Sequence, residues 1–175
     1  ISSWALPEAG AAAIIGSMGA SAVLLFAVPH GQLSQPWPVI AGHAVSAIIG
    51  VTCARFIPQP ILAAACASAL AIGAMHQLKC IHPPGGATAL TAVIGGSAIH
   101  ELGYRFVLFP VLGSAIVMVL LAVLINSAFK WRRYPAILNR PAPSPVHKST
   151  TELPPPTHEE VLAAVRSLDS FVDIS

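Results

Sequence analysis

The composition of this 175-residue chain excludes a soluble domain, because 55% of its residues are hydrophobic, 9% are charged and the mean hydropathy is +0.73. Soluble domains carry about a quarter charged residues. Between Ile1 and Phe129 the charged side chains are Glu8, Arg55, Lys79, Glu101 and Arg105. The formal net charge is only +2. These values predict a polytopic membrane protein.

Apolar segments bounded by proline, glycine and charge predict the spans. Four of them, residues 7–28, 38–57, 60–78 and 106–129, are near the ~20 residues that cross a hydrocarbon core. A fifth, 87–99, covers roughly 20 Å of a ~30 Å core, so its start should lie inside the membrane. The predicted fold is an all-α helical bundle with about four full spans and one short broken or re-entrant helix.

Residues 81–90 read IHPPGGATAL and predict the break before that short helix. Two prolines cannot both continue a helix, and two glycines tolerate close approach. With Pro84 at a first helical position, we expect the amides of Gly85, Gly86, Ala87 and Thr88 to lack intrahelical acceptors and to attract an anion. Non-helical backbone at membrane depth needs surrounding protein or a water-filled cavity. We expect residues 81–86 to line a cavity.

The basic residues predict the topology. The KWRR run at 130–133 marks the cytoplasmic side by the positive-inside rule, so five passes place Lys79 inside and Arg55 and Arg105 outside. Ile1 is then also outside. An N-terminus on the outside is unusual, and it predicts an earlier membrane segment before Ile1.

Two similar stretches suggest an inverted repeat: GASAVL at 19–24 resembles GATALT at 86–91, and residues from Pro38 resemble those from Pro110. Chance similarity in a chain rich in Ala, Gly and Val is the alternative. A real repeat predicts antiparallel copies, with Gly19 and Gly86 at a shared cavity. Gly16 and Gly19 either open the first helix there or allow tight helix packing.

The stretches IHPPGGATAL at 81–90, GASAVLLFAVP at 19–29 and SQPWPVIAGHAVSAIIGV at 34–51 resemble the HPP family of integral membrane proteins. The family is named for the His-Pro-Pro signature, here His82, Pro83 and Pro84, and the resemblance covers residues 4–133. It implies a multi-span membrane protein; we expect it in the bacterial inner membrane, with the C-terminus on the cytoplasmic side that residues 130–133 mark. Plastid and cyanobacterial members are associated with nitrite transport, and other bacterial members often carry a C-terminal pair of CBS motifs.

A small planar anion such as nitrite needs a few amides, a hydroxyl and a nearby cation. The candidate substrate-binding residues are Ser17, Gly19, Ala20, Ser21, Lys79, His82, Gly85, Gly86, Ala87 and Thr88. Those in the first segment depend on the repeat alone. His82 either binds substrate or relays a proton, or it caps a carbonyl in the turn. Lys79 is also explained by snorkelling to headgroups, and His43 and His76 by structural hydrogen bonds.

Other kinds of site lack a sequence signal. Cys53, Cys66 and Cys80 have no metal-like spacing, so neither a disulfide nor a metal is expected, and no cofactor is implied. The sequence shows no basic and aromatic groove that would predict nucleic-acid binding. It also shows no nucleophile motif that would predict an enzyme. A membrane-embedded enzyme using His43, His76 and His82 would lack acidic partners.

The chemistry changes after Arg133. Residues 139–157 form a Pro-rich stretch typical of an extended linker, and Thr157 and Glu160 have capping-box spacing at the start of an amphipathic helix. Its apolar stripe consists of Val161, Leu162, Val165 and Leu168. We predict a membrane domain at 1–133, a linker at 134–156 and a cytoplasmic helix at 157–175 that leads toward a regulatory domain.

Two function hypotheses stay open. The first is transport of a small inorganic anion, with nitrite as the leading candidate, through a cavity lined by helix N-termini. The second is a membrane-anchored sensor whose soluble ligand-binding domain follows this chain. The expected partners are the anion and the lipid bilayer, and a small bundle of five short spans favours a homo-oligomer.

Overall fold

The computed structural model describes residues 8–129, 132, 134–139 and 157–160, and within these ranges every regular element is helical. The predicted all-α membrane bundle is therefore confirmed. The helices are α1 Glu8–Ala27, α2 Pro36–Phe56, α3 Pro60–Gln77, α4 Pro83–Ile94, α5 Ser97–Leu102 and α6 Gly113–Ser127, with a π-helical segment Val107–Leu112 before α6 and short 3-10 turns at Gln32–Ser34 and Ala136–Asn139.

Three helical stretches in the described part of the chain are long and apolar enough to cross a membrane: Pro36–Phe56, Pro60–Gln77 and Val107–Ser127. Gly16–Ala27 of α1 is a shorter apolar helix. The last stretch was predicted as one continuous segment at 106–129, but it is not one regular helix, because Phe109 has extended dihedral angles and Pro110 lacks an amide hydrogen. The count of four full spans remains a prediction.

Proline determines where three of the helices begin. Pro36 and Pro60 occupy first-turn positions of α2 and α3, and Pro83 does so in α4. A first-turn amide has no intrahelical acceptor, so proline loses nothing there. The short helix α4 therefore starts four residues earlier than the predicted segment at 87–99.

The contacts among α1, α2 and α4 show their relative directions. A Cβ on Gly42 would lie 2.8 Å from the Cβ of His82, and one on Gly50 would lie 2.8 Å from that of Ala92, so α2 and α4 run parallel. Ser21 lies beside His43, and Leu25 packs in one cluster with Val39, so α1 opposes α2. Consequently α1 is antiparallel to α4, as an inverted repeat requires.

The structure of α1 contradicts the prediction that Gly19 and Gly86 of the two repeat copies face a shared cavity. Helix α1 is continuous from Glu8 to Ala27, and Gly19 is exposed with open space where a Cβ would be. Gly16 likewise has no neighbour at that position. The prediction that α1 opens at these glycines to face Gly86 is therefore wrong, because nothing interrupts its backbone hydrogen bonding.

One end of the bundle is covered by the α1–α2 loop and the residues that follow α6. The Tyr134 hydroxyl donates to the carbonyl of Ser34 at 2.8 Å, and the Ala136 amide donates to Oε1 of Gln35 at 2.9 Å. The Arg132 guanidinium donates to the carbonyl of Phe26. The compact unit accordingly extends to Arg140. Burial raises the pKa of Tyr134.

A second unit comprises residues 141–175, of which 157–160 are described. The Thr157 amide donates to the Glu160 carboxylate at 2.8 Å, and the Glu160 amide donates to the Thr157 hydroxyl at 3.3 Å. The amide and the hydroxyl of Thr157 both donate to the Glu160 carboxylate, and they hold the pKa of that carboxyl below its usual value. The predicted capping box is present, while the apolar stripe and most of the linker lie outside the described residues.

Gly50 tests the close contact between α2 and α4. A Cβ there would lie 2.5 Å from the carbonyl oxygen of Ala89, so Gly50→Ala should force the helices apart and destabilise the fold by about 1–3 kcal/mol. Gly73→Ala is the matched control, because a Cβ there meets open space in α3. Unfolding in detergent checks both variants, and equal stability of the two would contradict this packing.

A buried hydroxyl and imidazole cluster with an arginine-lined cavity

Four polar side chains from three helices meet inside the apolar bundle. They are Ser21 of α1, His43 of α2, His82 at the N-cap of α4 and Thr88 in α4, and each is at most 1% exposed. Polar groups at membrane depth usually face the bundle interior and mark functional paths. The sequence placed Ser21, His82 and Thr88 in one candidate site, and the structure brings these three together.

One continuous chain of hydrogen bonds joins the four side chains. The Ser21 hydroxyl lies 2.8 Å from Nε2 of His43 and 2.8 Å from Nε2 of His82. Nδ1 of His43 lies 2.8 Å from the Thr88 hydroxyl. Nδ1 of His82 lies 2.8 Å from the carbonyl oxygen of Leu33 in the α1–α2 loop. The ring centroids of the two imidazoles are 4.9 Å apart in an edge-on arrangement.

The Leu33 carbonyl sets the direction of this chain for neutral imidazoles. A carbonyl only accepts, so Nδ1 of His82 carries the proton and its Nε2 must accept from the Ser21 hydroxyl. That hydroxyl has one proton, so it accepts from Nε2–H of His43. Nδ1 of His43 then accepts from Thr88. A single backbone carbonyl therefore determines both tautomers.

Two glycines allow the helices to approach closely enough to form the cluster. A Cβ on Gly42 would meet the Cβ of His82 at 2.8 Å, and a Cβ on Gly85 would meet the Ser46 hydroxyl oxygen at 2.8 Å. Both positions also abut Met75 of α3. Gly85, predicted as an anion contact, therefore serves the packing of α4 against α2.

The predicted supply of free amides at the start of α4 is wrong. Because the helix begins at Pro83, two of its first three residues are prolines without an amide hydrogen. The Gly85 amide donates to the carbonyl of His82 at 2.8 Å. Ala87 and Thr88 lie farther inside the helix, where their amides have carbonyl acceptors one turn earlier. Three of the four amides that were predicted to bind an anion are therefore paired within the helix start.

The remaining candidate residues lie around the cluster rather than in it. Ser17 is buried, but its hydroxyl donates to the carbonyl of Ile14 at 3.0 Å. Gly19 and Ala20 are exposed on α1, so they do not face His82. Ala87 and Lys79 are exposed, and Gly86 is half-buried with open space at its Cβ position.

A cavity of about 630 Å³ lies at the opposite end of the bundle from the α1–α2 loop. Arg55, His100, Glu101, Tyr104 and Arg105 are exposed residues in its wall. Residues 81–86, which were predicted to line a cavity, do not line this one, and His82, Pro84 and Gly85 are buried in packed protein. Non-helical backbone inside a membrane needs either a water-filled cavity or surrounding protein, and at His82 the surroundings are protein.

Within the cavity wall, the two arginines carry the positive charge. No ion pair joins either guanidinium to Glu101 among the described residues, and Nε2–H of His100 donates to the carbonyl of Val93 at 2.8 Å. The Tyr104 hydroxyl lies 3.1 Å from that of Thr52. Arg55 stands in the last turn of α2, where it also compensates the helix dipole.

An apolar layer separates the cavity from the polar cluster. One turn from the cluster toward the cavity, each helix presents a buried apolar residue: Met18 on α1, Ala47 on α2 and Ala92 on α4. Ala92 belongs both to this layer and to the cavity wall, and Val51, in the same buried cluster, also lies in the wall. From His43 to Val51 the distance along α2 is ~12 Å. The cluster is therefore closed to the cavity in this conformation.

Sequence reasoning left His43 with a structural hydrogen bond as its default. The only available signal was an ionisable side chain in the middle of an apolar segment, which does not reveal its partners. It also assigned Arg55 and Arg105 only to topology. Arg55 ends α2 and Arg105 precedes the last span, so their meeting at one cavity depends on the parallel course of α2 and α4.

Thr88→Val tests the end of the hydrogen-bond chain. It removes the donor to Nδ1 of His43 and leaves a buried acceptor unpaired, at a cost of about 1–3 kcal/mol in unfolding free energy. Thr91→Val is the matched control, because that hydroxyl donates only to the carbonyl of Ala87 in the same helix. Equal unfolding free energies for the two variants would show that Thr88 does not hold His43.

Comparison with known proteins agrees with this architecture. The transmembrane region of the HPP family matches residues 1–135. Two transmembrane proteins of Dictyostelium discoideum are each 40% identical over 126 residues, which is 70% of this chain but 40% and 44% of theirs. The chain thus spans less than half the length of these curated relatives, and no solved structure matches it. The matched region covers most of the sequence, and the chain belongs to the HPP family of transmembrane proteins.

Proposed function

We propose that this chain carries a small inorganic anion across the membrane, with nitrite as the first candidate. The observation that carries the proposal is the fully buried cluster in which two hydroxyls and two imidazoles from three helices are joined by hydrogen bonds. Such groups are costly to place in a membrane, and in transporters they line substrate and proton paths. A purely structural protein gains as much stability from apolar packing.

Side chains, rather than helix amides, are the donors available to the anion. The Ser21 and Thr88 hydroxyls and Nε2–H of His43 lie within one hydrogen-bonded group, and a planar anion could accept from them when the group rearranges. The first turn of α4 supports the site by holding His82 and Thr88 in place. The predicted binding of the anion by backbone amides is thus replaced by binding through side chains, while Ser21, His82 and Thr88 stay in the site.

The cavity supplies the approach to this site. Its two guanidinium groups and one carboxylate give a net positive wall, which concentrates anions at the bundle end. The Met18, Ala47 and Ala92 layer must then open for an anion to reach Ser21. An occluded polar site beneath a charged entrance is the arrangement expected of a carrier that alternates between two access states.

The orientation and the membrane belong to the same proposal. With a cytoplasmic C-terminus in the bacterial inner membrane, the arginine-lined cavity faces the outside and the α1–α2 loop faces the cytoplasm. Of the KWRR run that suggests this orientation, Arg132 is described, whereas residues 130, 131 and 133 lie outside the described ranges. No enzymatic step is part of the proposal.

Flux into liposomes that contain only the purified chain tests the function. We expect nitrite uptake above that of protein-free liposomes, which must be subtracted because nitrous acid permeates lipid. Nitrite binding without flux would contradict transport and support the sensor hypothesis. The absence of both binding and flux would contradict any anion site in this chain.

Arg105 tests whether the cavity is the entrance. Arg105→Gln should slow uptake several-fold at low ionic strength and much less at high salt, because steering by exposed charge is screened. Glu101→Gln is a control of opposite sign, since removing the cavity's carboxylate should speed uptake at low salt. Arg55 is less suitable because its loss also affects the end of α2. Equal rates for both variants would remove the cavity from the path.

A further inference from the structure

We propose that Ser21, His43 and His82 form a binding site for one transported proton, so that each anion crosses together with a proton. This rests on the proposed anion transport and names its coupling partner. Each hydroxyl of the cluster has a second acceptor within reach, and the site depends on this geometry.

With no added proton, every strong donor and acceptor in the cluster is paired. His82 donates to the Leu33 carbonyl and accepts from Ser21, which in turn accepts from His43. Thr88 donates to Nδ1 of His43. The neutral cluster is therefore complete without water or a ligand.

With one proton added, the cluster is equally complete. The proton binds the lone pair of Nε2 of His82, which then donates to the Ser21 hydroxyl oxygen. The Ser21 hydroxyl turns to the carbonyl of Ser17, 3.2 Å away and one turn back in α1. His43 continues to donate to the Ser21 oxygen. Rotation of one hydroxyl is the only change required.

The second imidazole can hold the same proton in the same way. A doubly protonated His43 donates to both Ser21 and Thr88, and the Thr88 hydroxyl turns to the carbonyl of Pro84 at 3.3 Å. The Ser21 hydroxyl then donates to Nε2 of a neutral His82. The two imidazoles therefore share one proton site. The Ser17 and Pro84 carbonyls accept from the Ser21 and Thr88 hydroxyls, so the cluster stays fully hydrogen-bonded whichever imidazole holds the proton.

The titratable groups on the elements around the cluster lie outside it, so the two imidazoles are the groups that can bind the proton. The groups on the surrounding elements are His30 in the α1–α2 loop, His76 at the end of α3, and Lys79 and Cys80 before His82. His30, His76 and Lys79 are exposed, and Cys80 is a buried thiol. Among unit-1 residues with described side chains, the one carboxylate is Glu101, in the cavity wall. The Tyr134 hydroxyl donates to the Ser34 carbonyl in the α1–α2 loop, and Arg132 donates to the Phe26 carbonyl near the end of α1.

A shared proton meets the electrostatic requirement of an anion site in an apolar core. An unpaired charge is costly at low dielectric, and a cation beside it offsets much of that cost. Arg55 and Arg105 line the far cavity, beyond the apolar layer, and Arg132 donates to the carbonyl of Phe26. The bound proton supplies the counter-charge, and the proton and a monovalent anion cross as a neutral pair.

The charge carried per turnover tests this coupling. Liposomes containing the whole chain would be loaded with potassium, and valinomycin would set the membrane potential while nitrite uptake is followed at fixed and at unequal pH. We expect uptake above protein-free liposomes that is driven by a pH gradient and unchanged by the potential. Uptake driven by an inside-positive potential and indifferent to pH would overturn the coupling while leaving anion transport intact.

Ser21→Ala tests whether the bridging hydroxyl is part of the proton site. It removes the link between the imidazoles, so pH-driven uptake should fall about tenfold. Ser68→Ala is the matched control, because the Ser68 hydroxyl donates only to the Ala64 carbonyl of α3. A folded Ser21→Ala protein with the pH dependence of the control would overturn the assignment.

Discussion

The hydrogen bond from Nδ1 of His82 to the carbonyl of Leu33 is the constraint on which the polar core depends. It fixes the tautomer of His82 and, through Ser21, that of His43. It also ties the first turn of α4 to the α1–α2 loop, which Tyr134 holds from the other side through Ser34. A change in that loop or in the segment after α6 would therefore reach the imidazoles without any direct contact.

Close helix packing makes this hydrogen bond geometrically accessible. Gly42 and Gly85 let α2 and α4 meet where His82 enters the core, and Gly50 keeps them together one turn from the cavity. Small residues allow such approach in membranes, where apolar contact alone does not favour helix association. The same packing creates the apolar layer around Ala47 and Ala92, so the features that assemble the cluster also close it.

The sequence predicted the membrane class, most span positions and a break before α4, because apolar length and proline leave few alternatives; the break lies at 78–82 rather than 81–86. It misplaced the start of α4, since proline is tolerated in a first turn, and most of the amides that were predicted to be free are therefore paired. It identified Ser21 through a repeat whose glycine-opened helix is absent. The role of His43 depends on a partner 45 residues away, which no local pattern encodes.

The tautomers of the two imidazoles test the central claim most directly. Nitrogen-15 spectra of histidine-labelled protein in lipid distinguish Nδ1–H from Nε2–H, and assignment uses the single variants His43→Gln and His82→Gln. At a pH where both rings are neutral, we expect His82 as the Nδ1–H form and His43 as the Nε2–H form. An Nε2–H form of His82 would contradict the chain of hydrogen bonds, because the Leu33 carbonyl could not then be its partner.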